Sequence, residues 1–191
     1  MIDSKMISDL FKRQLENIKN KELRKKVVEV WVEGCRRGNW KKVDELKKIP
    51  FSLLTESRGI NLIEHTIAVT EMAVEMAKAQ IRSYSKMVYE INIDYLYAGG
   101  LLHDVGKLIE IESDGKGGYR KSRAGKLTRH PISGAILAAE CGVPEEVINI
   151  IACHSKEGEG RPQVVETIFI HQADFATFNP LVLKEKGLLI E

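Results

Sequence analysis

Five histidines stand in this 191-residue chain: His65, His103, His130, His154 and His171. All lie in its C-terminal two thirds. Asp104 follows His103 directly, inside the apolar string Gly99-Gly100-Leu101-Leu102-His103-Asp104-Val105-Gly106-Lys107. A carboxylate buried there without a partner is costly, and a divalent cation is one partner that offsets the cost. Imidazole and carboxylate together suit Fe, Mn, Co, Ni or Zn, with Mg also admitted. The three cysteines, Cys35, Cys141 and Cys153, are too far apart in sequence to make a closed structural zinc site. Any one of these histidines taken alone reads as a core residue. Four on separate helices, with two buried-looking aspartates, point instead to a metal centre.

The elements that must position these groups are nearly all helical. Leu62, His65, Val69, Met72 and Met76 step by three and four residues, which places His65 on a buried stripe. Asp94 is the expected cap of a helix that carries Leu96, Gly100, His103 and Leu108. Pro131 marks a helix start just after His130, and Gly142 its end. Pro144 opens the next helix, whose face is Val147, Ile150, Ile151 and His154. The last clear helix is expected from about Gln163 to Thr177. Its cleanest stripe runs through Val164, Ile168, His171, Phe175 and Phe178. Glu112–Arg129 reads as a loop or hairpin, with turn signals at Asp114-Gly115 and Gly117-Gly118. Upstream, Ile7, Phe11, Leu15 and Ile18, then Leu23, Val27 and Val30, predict amphipathic helices that stop at Gly38-Asn39; a short helix follows before Pro50. The expected division is a helical cap over residues 1–50 and a site-bearing unit over 51–191. The fold class is all-α, with at most one short hairpin.

Composition narrows the classes. The formal charge is +2, too near neutral to argue for non-specific nucleic-acid binding. No apolar run approaches the roughly 20 residues of a membrane span, and the charged N-terminus lacks a signal-peptide core. The odd, scattered cysteines read as reduced thiols, so a cytoplasmic location is expected.

Together, Glu64-His65-Thr66, then Gly100-Leu101-Leu102-His103-Asp104-Val105-Gly106-Lys107, then Ala173-Asp174 resemble the signature of the HD superfamily of metal-dependent phosphohydrolases. The resemblance covers roughly residues 53–179. It implies a helical bundle in which His65, His103, Asp104 and Asp174 bind one metal. His130-Pro131-Ile132-Ser133-Gly134-Ala135 and His154 are similar to the further histidines of two-metal members, which implies a second metal bridged by Asp104. The stretch Glu110–Arg129 is also similar to the insert in HD domains of bacterial 3′–5′ exoribonucleases. The surroundings of His130 and His154 match diadenosine-tetraphosphate hydrolases as well. The cyclic-dinucleotide branch carries paired histidines and a Gly-Tyr-Pro string. Here Cys153 precedes His154, and the later string is Gly160-Arg161-Pro162, so that branch is not matched.

The chemistry so implied is phosphoester or phosphoanhydride cleavage by water. A divalent metal lowers the pKa of bound water from 15.7 toward roughly 7, and two metals clamp the phosphoryl group. Asp104 and Lys107 are the expected catalytic pair, with the Lys107 ammonium over the substrate phosphate. The basic stretch around Lys116, Arg120, Lys121, Arg123, Lys126 and Arg129 suits phosphate steering. Arg58, Arg129 and Arg161 are candidate phosphate clamps, and His171 is expected to support the site or the core. A phosphorylated small molecule or nucleotide is the expected substrate, with short nucleic acid also admitted and oligomeric state open. The rival readings are a diiron oxygenase and a regulatory nucleotide-binding module.

Overall fold

The computed structural model describes residues 1–158 and 163–190. Arg161 and the Gly160-Arg161-Pro162 string lie outside the described residues. The first fifty residues form α1 (Ser4–Leu10), α2 (Lys12–Leu15), α3 (Lys21–Arg37) and α4 (Val43–Leu46). Helix α3 ends as its sequence requires: Gly38 caps it, and Asn39 takes φ 62° to turn the chain. Ile7, Phe11, Leu15, Ile18, Val27, Val30 and Trp31 are buried in the same core as the helices that follow.

The central pair is α5 (Leu62–Ser83) and α6 (Ile93–Leu102). Asn61 starts α5 with a capping box: its side chain accepts from the backbone of Ile63 and Glu64, while Glu64 reaches back to the Asn61 N–H. Every residue of α6 from Leu96 to Leu102 is buried, which is the pattern of a helix with neighbours on all sides. The two helices approach closely because position 100 is glycine: a Cβ there would lie 2.8 Å from the Thr70 Cα.

Helix α6 breaks at His103. Residues 103–106 make tight turns before α7 (Lys107–Glu110), and the chain then enters a hairpin of β1 (Ile111–Ser113) and β2 (Tyr119–Lys121). The strands are antiparallel, with Ile111 opposite Lys121 and Ser113 opposite Tyr119. Next come α8 (Arg123–Leu127), α9 (His130–Glu140), α10 (Glu145–Cys153), a single 3-10 turn at Lys156–Gly158 and α11 (Val165–Glu185). Gly106 lets α9 begin against the turn, since a Cβ there would fall 2.1 Å from the His130 carbonyl oxygen. The fold is thus an all-α bundle with one short hairpin. Among the described residues no helix is long and apolar enough to cross a membrane.

Several local expectations need correction. Asn92, not Asp94, caps α6; the Asp94 carboxylate instead accepts from the Lys19 and Asn20 N–H groups and ties α3 to α6. Met72 is 38% exposed, because the buried face of α5 is turned toward Thr66, Thr70 and Ala73. The stretch read as loop after the hairpin contains α8, started by Ser122, whose hydroxyl accepts from the Gly125 N–H. Helix α11 runs on through Pro180. Pro180 and Ala176 are both exposed, so water can satisfy the carbonyl that the missing N–H leaves open.

Candidate metal centre

His65 projects from the first turn of α5, His103 and Asp104 from the break after α6, His130 from the first residue of α9, and His154 from the C-cap of α10. All five are buried. The short links after α6 and before α9 are what bring helix ends, with their free side-chain directions, to one point.

Asp104 is the hub. Its Oδ2 lies 3.2 Å from His65 Nε2 and 3.4 Å from His103 Nε2. Its Oδ1 lies 3.3 Å from His130 Nε2 and 3.7 Å from His154 Nε2. Each carboxylate oxygen therefore faces one histidine pair. Two groups of donors result, His65–His103–Asp104 and Asp104–His130–His154, each with its ligand atoms within 4.8 Å of one another.

The far side of each ring fixes its tautomer. His103 Nδ1–H donates to the Gly100 carbonyl at 2.7 Å and His154 Nδ1–H to the Ile151 carbonyl at 2.8 Å. His130 Nδ1–H donates to Glu110 Oε2 at 2.9 Å. The Thr177 hydroxyl donates to the Asp174 carbonyl, so its oxygen accepts from His65 Nδ1–H at 3.2 Å. All four Nε2 lone pairs then point at a carboxylate with no proton between them. His65 Nε2 and His103 Nε2 are only 3.4 Å apart. Asp104 Oδ1 and His154 Nε2 are buried without a hydrogen-bond partner. Electron-rich atoms converge in this way where a cation belongs, and the Nδ1 partners are the supports that metal-binding histidines carry. The donor set fits one or two divalent metals.

Asp174, on α11, places Oδ1 3.2 Å from His65 Nε2. It stands at the edge of the first donor group and on the wall of the cleft. Lys107 donates to Asp104 Oδ2 and to the Phe51 carbonyl, both at 2.6 Å. Its ammonium is thus on the carboxylate hub and at the cleft wall. Burial alone would raise the Asp104 pKa, but the Lys107 ammonium beside it outweighs that and holds the carboxyl well below its usual range. Asp174 is likewise drawn down to about 2 against burial, chiefly by its closeness to the His65 ring. Burial pushes His130 down to about 4 despite Glu110.

The centre opens into a cleft of about 400 Å³, within the range of small-molecule sites. Lys107, Lys121, Arg129 and Lys156 supply positive charge to its walls; Phe51, Leu53, Leu54, Phe175 and Phe178 supply apolar surface. Of the expected phosphate clamps, Arg129 lines this cleft. Arg58 does not: it is exposed, with φ 49°, and pairs with Glu56 at 3.8 Å. The stripe predicted on α11 is displaced, since Ile168 is 50% exposed while Thr167, Ile170 and Ala173 are buried. His171 nonetheless supports the site: its Nδ1–H donates to the His154 carbonyl at 2.7 Å, and its ring packs on Phe175.

Glu110, Thr177 and Phe51 were missed from sequence. Glu110 is buried and holds His130, and Phe51 stacks on the His65 ring with centroids 4.5 Å apart. A carboxylate within Leu108-Ile109-Glu110-Ile111 was a readable signal of the same kind as Asp104.

Comparison with known proteins agrees with this geometry. The HD domain model matches residues 62–175, which span the five residues of the two donor groups and Asp174. The chain is 34% identical over 166 residues to dihydroneopterin 2′,3′-cyclic phosphate phosphodiesterase of Methanocaldococcus jannaschii, covering 84% of this chain and 65% of that protein. It is 32% identical over 118 residues to ribonuclease Y of Thermotoga petrophila, covering 62% of this chain and 18% of that much longer protein. No solved structure matches. The helical frame, the paired donor groups of a metal-dependent phosphohydrolase-type site and the matched span lead to one conclusion: the chain belongs to the HD-domain family.

Proposed function

We propose that the protein is a metal-dependent phosphohydrolase that cleaves the phosphoester of a small organic phosphate, a nucleotide or a related heterocyclic phosphate. The observation that carries this reading is Asp104, whose two oxygens face two separate histidine pairs. His65, His103, Asp104 and Asp174 would hold one divalent ion, and Asp104, His130 and His154 a second. When bound, such ions activate water at neutral pH and polarise the phosphoryl oxygens.

The chain's own residues do the rest. Lys107 offsets the Asp104 charge and presents its ammonium at the cleft wall. Arg129, Lys121 and Lys156 are placed to bind phosphate oxygens. Phe175 and Phe178 follow Asp174 along the same wall and would orient the organic part over apolar surface. A cleft of about 400 Å³ suits a molecule of roughly mononucleotide size. The printed activity of the M. jannaschii relative, on a cyclic phosphate, supports a phosphodiester of this size.

A second reading, short RNA, rests on a separate feature. A basic groove formed with Arg120, Arg123 and Lys126 shares Lys121 with the cleft and could carry further phosphates. The ribonuclease Y relatives support it. In either case residues 1–50 act as a helical cap on the unit formed by residues 51–191. The three free thiols support a reducing, cytoplasmic setting.

The test is a panel of nucleoside 2′,3′-cyclic phosphates, nucleoside monophosphates, dinucleotides and short RNA. Each is incubated with chelator-stripped protein and with protein reloaded with Mn, Fe, Co or Ni. Metal-dependent hydrolysis that Asp104→Asn abolishes is expected. Iron-dependent O₂ consumption without phosphate ester cleavage would favour an oxygenase, and nucleotide binding without turnover a regulatory module.

A further inference from the structure

Glu110 is a buried carboxylate, and both of its oxygens are committed. Oε2 accepts from the His130 backbone N–H at 2.7 Å and from His130 Nδ1–H at 2.9 Å. Oε1 lies 3.5 Å from Lys121 Nζ and 3.4 Å from Arg129 Nε. The Glu110 side chain is only 6% exposed. The hairpin and α8 lock it in place: Ser122 N–H donates to the Glu110 carbonyl at 2.8 Å, and the Ser122 hydroxyl to the Ile109 carbonyl at 2.7 Å. One carboxylate thus joins a cleft histidine to two cleft cations.

We infer that Glu110 is the positioning residue of the second metal position, holding His130 with its proton on Nδ1 and its Nε2 lone pair on Asp104, while its other oxygen keeps Lys121 and Arg129 at the cleft wall. The inference rests on the two-metal phosphohydrolase reading and goes beyond it by giving the excursion from Ile111 to Arg129 a task. A neutral imidazole can carry its proton on either nitrogen, and the partner of the far nitrogen decides which. With Glu110 fixed on Nδ1, Nε2 faces Asp104 Oδ1 at 3.3 Å with a lone pair. Without Glu110 the proton can move to Nε2, where Asp104 Oδ1 is the waiting acceptor. That tautomer has no Nε2 lone pair to offer a metal beside Asp104. The hairpin matters because the chain between α7 and α9 must bring Ser122 back onto Ile109 and Glu110, and in doing so it delivers Lys121 and Arg129 to the same oxygen. No other element is needed to couple the phosphate-binding wall to the metal donors.

The experiment compares wild type with Glu110→Met and Glu110→Ala. Chelator-stripped proteins are titrated calorimetrically with Mn²⁺ and with Co²⁺. Their histidine tautomers are read from long-range ¹H–¹⁵N imidazole spectra. Wild type should bind two ions, with His130 protonated on Nδ1. Both variants should keep the first ion at unchanged affinity and bind the second 10- to 100-fold more weakly, with His130 moving toward the Nε2–H form. Glu110→Met keeps nearly the side chain's size but offers His130 no oxygen, so it decides the matter if Glu110→Ala does not fold. Two ions bound with wild-type affinity and an unchanged His130 tautomer in Glu110→Met would overturn the inference while leaving the two-metal reading intact. Wild type that saturates at one ion would overturn that reading, and this inference with it, before any variant is compared.

Discussion

Replacing Trp31 by Phe probes how the N-terminal helices serve the metal turn. The Trp31 ring is fully buried against Phe11, with centroids 4.8 Å apart. Its Nε1–H donates to the Leu101 carbonyl at 2.9 Å. That carbonyl lies two residues before His103, where α6 breaks and the Val105 N–H turns to the Leu102 carbonyl instead of continuing the helical ladder. Trp40 does the same on the other side of the turn, donating to the Leu108 carbonyl at 2.8 Å. The two indoles therefore bracket the His103–Asp104 segment. Phe at position 31 fills most of the volume but leaves a buried carbonyl unpaired. The orphaned carbonyl costs about 1–3 kcal/mol, and the lost ring atoms add about 1 kcal/mol. For a chain of this size each kcal/mol lowers Tm by about 2–4 °C, so a fall of roughly 5–15 °C is expected. The assay is thermal unfolding of the chelator-treated protein, followed by titration with Mn²⁺. Because the damage is next to the donors, metal affinity should fall as well, and the stabilisation that metal gives at fixed concentration should shrink. A Trp31→Phe protein with Tm within 1 °C of wild type and unchanged metal affinity would refute the idea that the cap braces the turn.

Other outcomes follow from the same geometry. Arg129→Ala should raise KM for a phosphoester about tenfold with a smaller effect on kcat, as steady-state kinetics on the best substrate of the panel would show. The apoprotein should lose stability steadily as pH falls from about 6.5 to 2, as chemical denaturation across that range would measure. Between about 6.5 and 4 the unfolded chain protonates His130, while burial keeps the folded residue neutral down to about 4. Below the ordinary carboxylate range, Glu110 and Asp174, held near 2 in the fold, contribute stability that is lost as pH falls through that value. Both effects give the unfolded state more bound protons at low pH, so the slope is positive throughout. A flat profile between pH 6 and 4 would contradict the buried placement of His130.

The legible parts of the site were those that violate a local pattern. Asp104 announced itself as a carboxylate in an apolar run, and His65 and His154 as polar residues on buried helical stripes. The bundle was legible because its helix starts and stops carry Asn, Pro and Gly at the right places. What was not legible depends on partners distant in sequence. Thr177 supports His65 from 112 residues away, and no spacing rule reaches that far. The buried face of α11 was misread because one side of that helix lines the cleft: Phe175 and Phe178 look like core residues in sequence but form an open wall. Asp94 looked like a cap because caps and inter-helix acceptors use the same residue types. Arg58 is near His65 in sequence, whereas in the fold it is exposed and pairs with Glu56.

If Asp104 joins two metal positions, the count of bound metal must depend on it. Wild type and Asp104→Ala, stripped with chelator, reloaded with Mn²⁺ or Co²⁺ and desalted, should be compared by elemental analysis, with circular dichroism to confirm that both are folded. Two ions per wild-type chain and almost none in the variant are predicted, because each donor group loses its Asp104 oxygen. A folded Asp104→Ala protein that retains the full wild-type metal content would contradict the account.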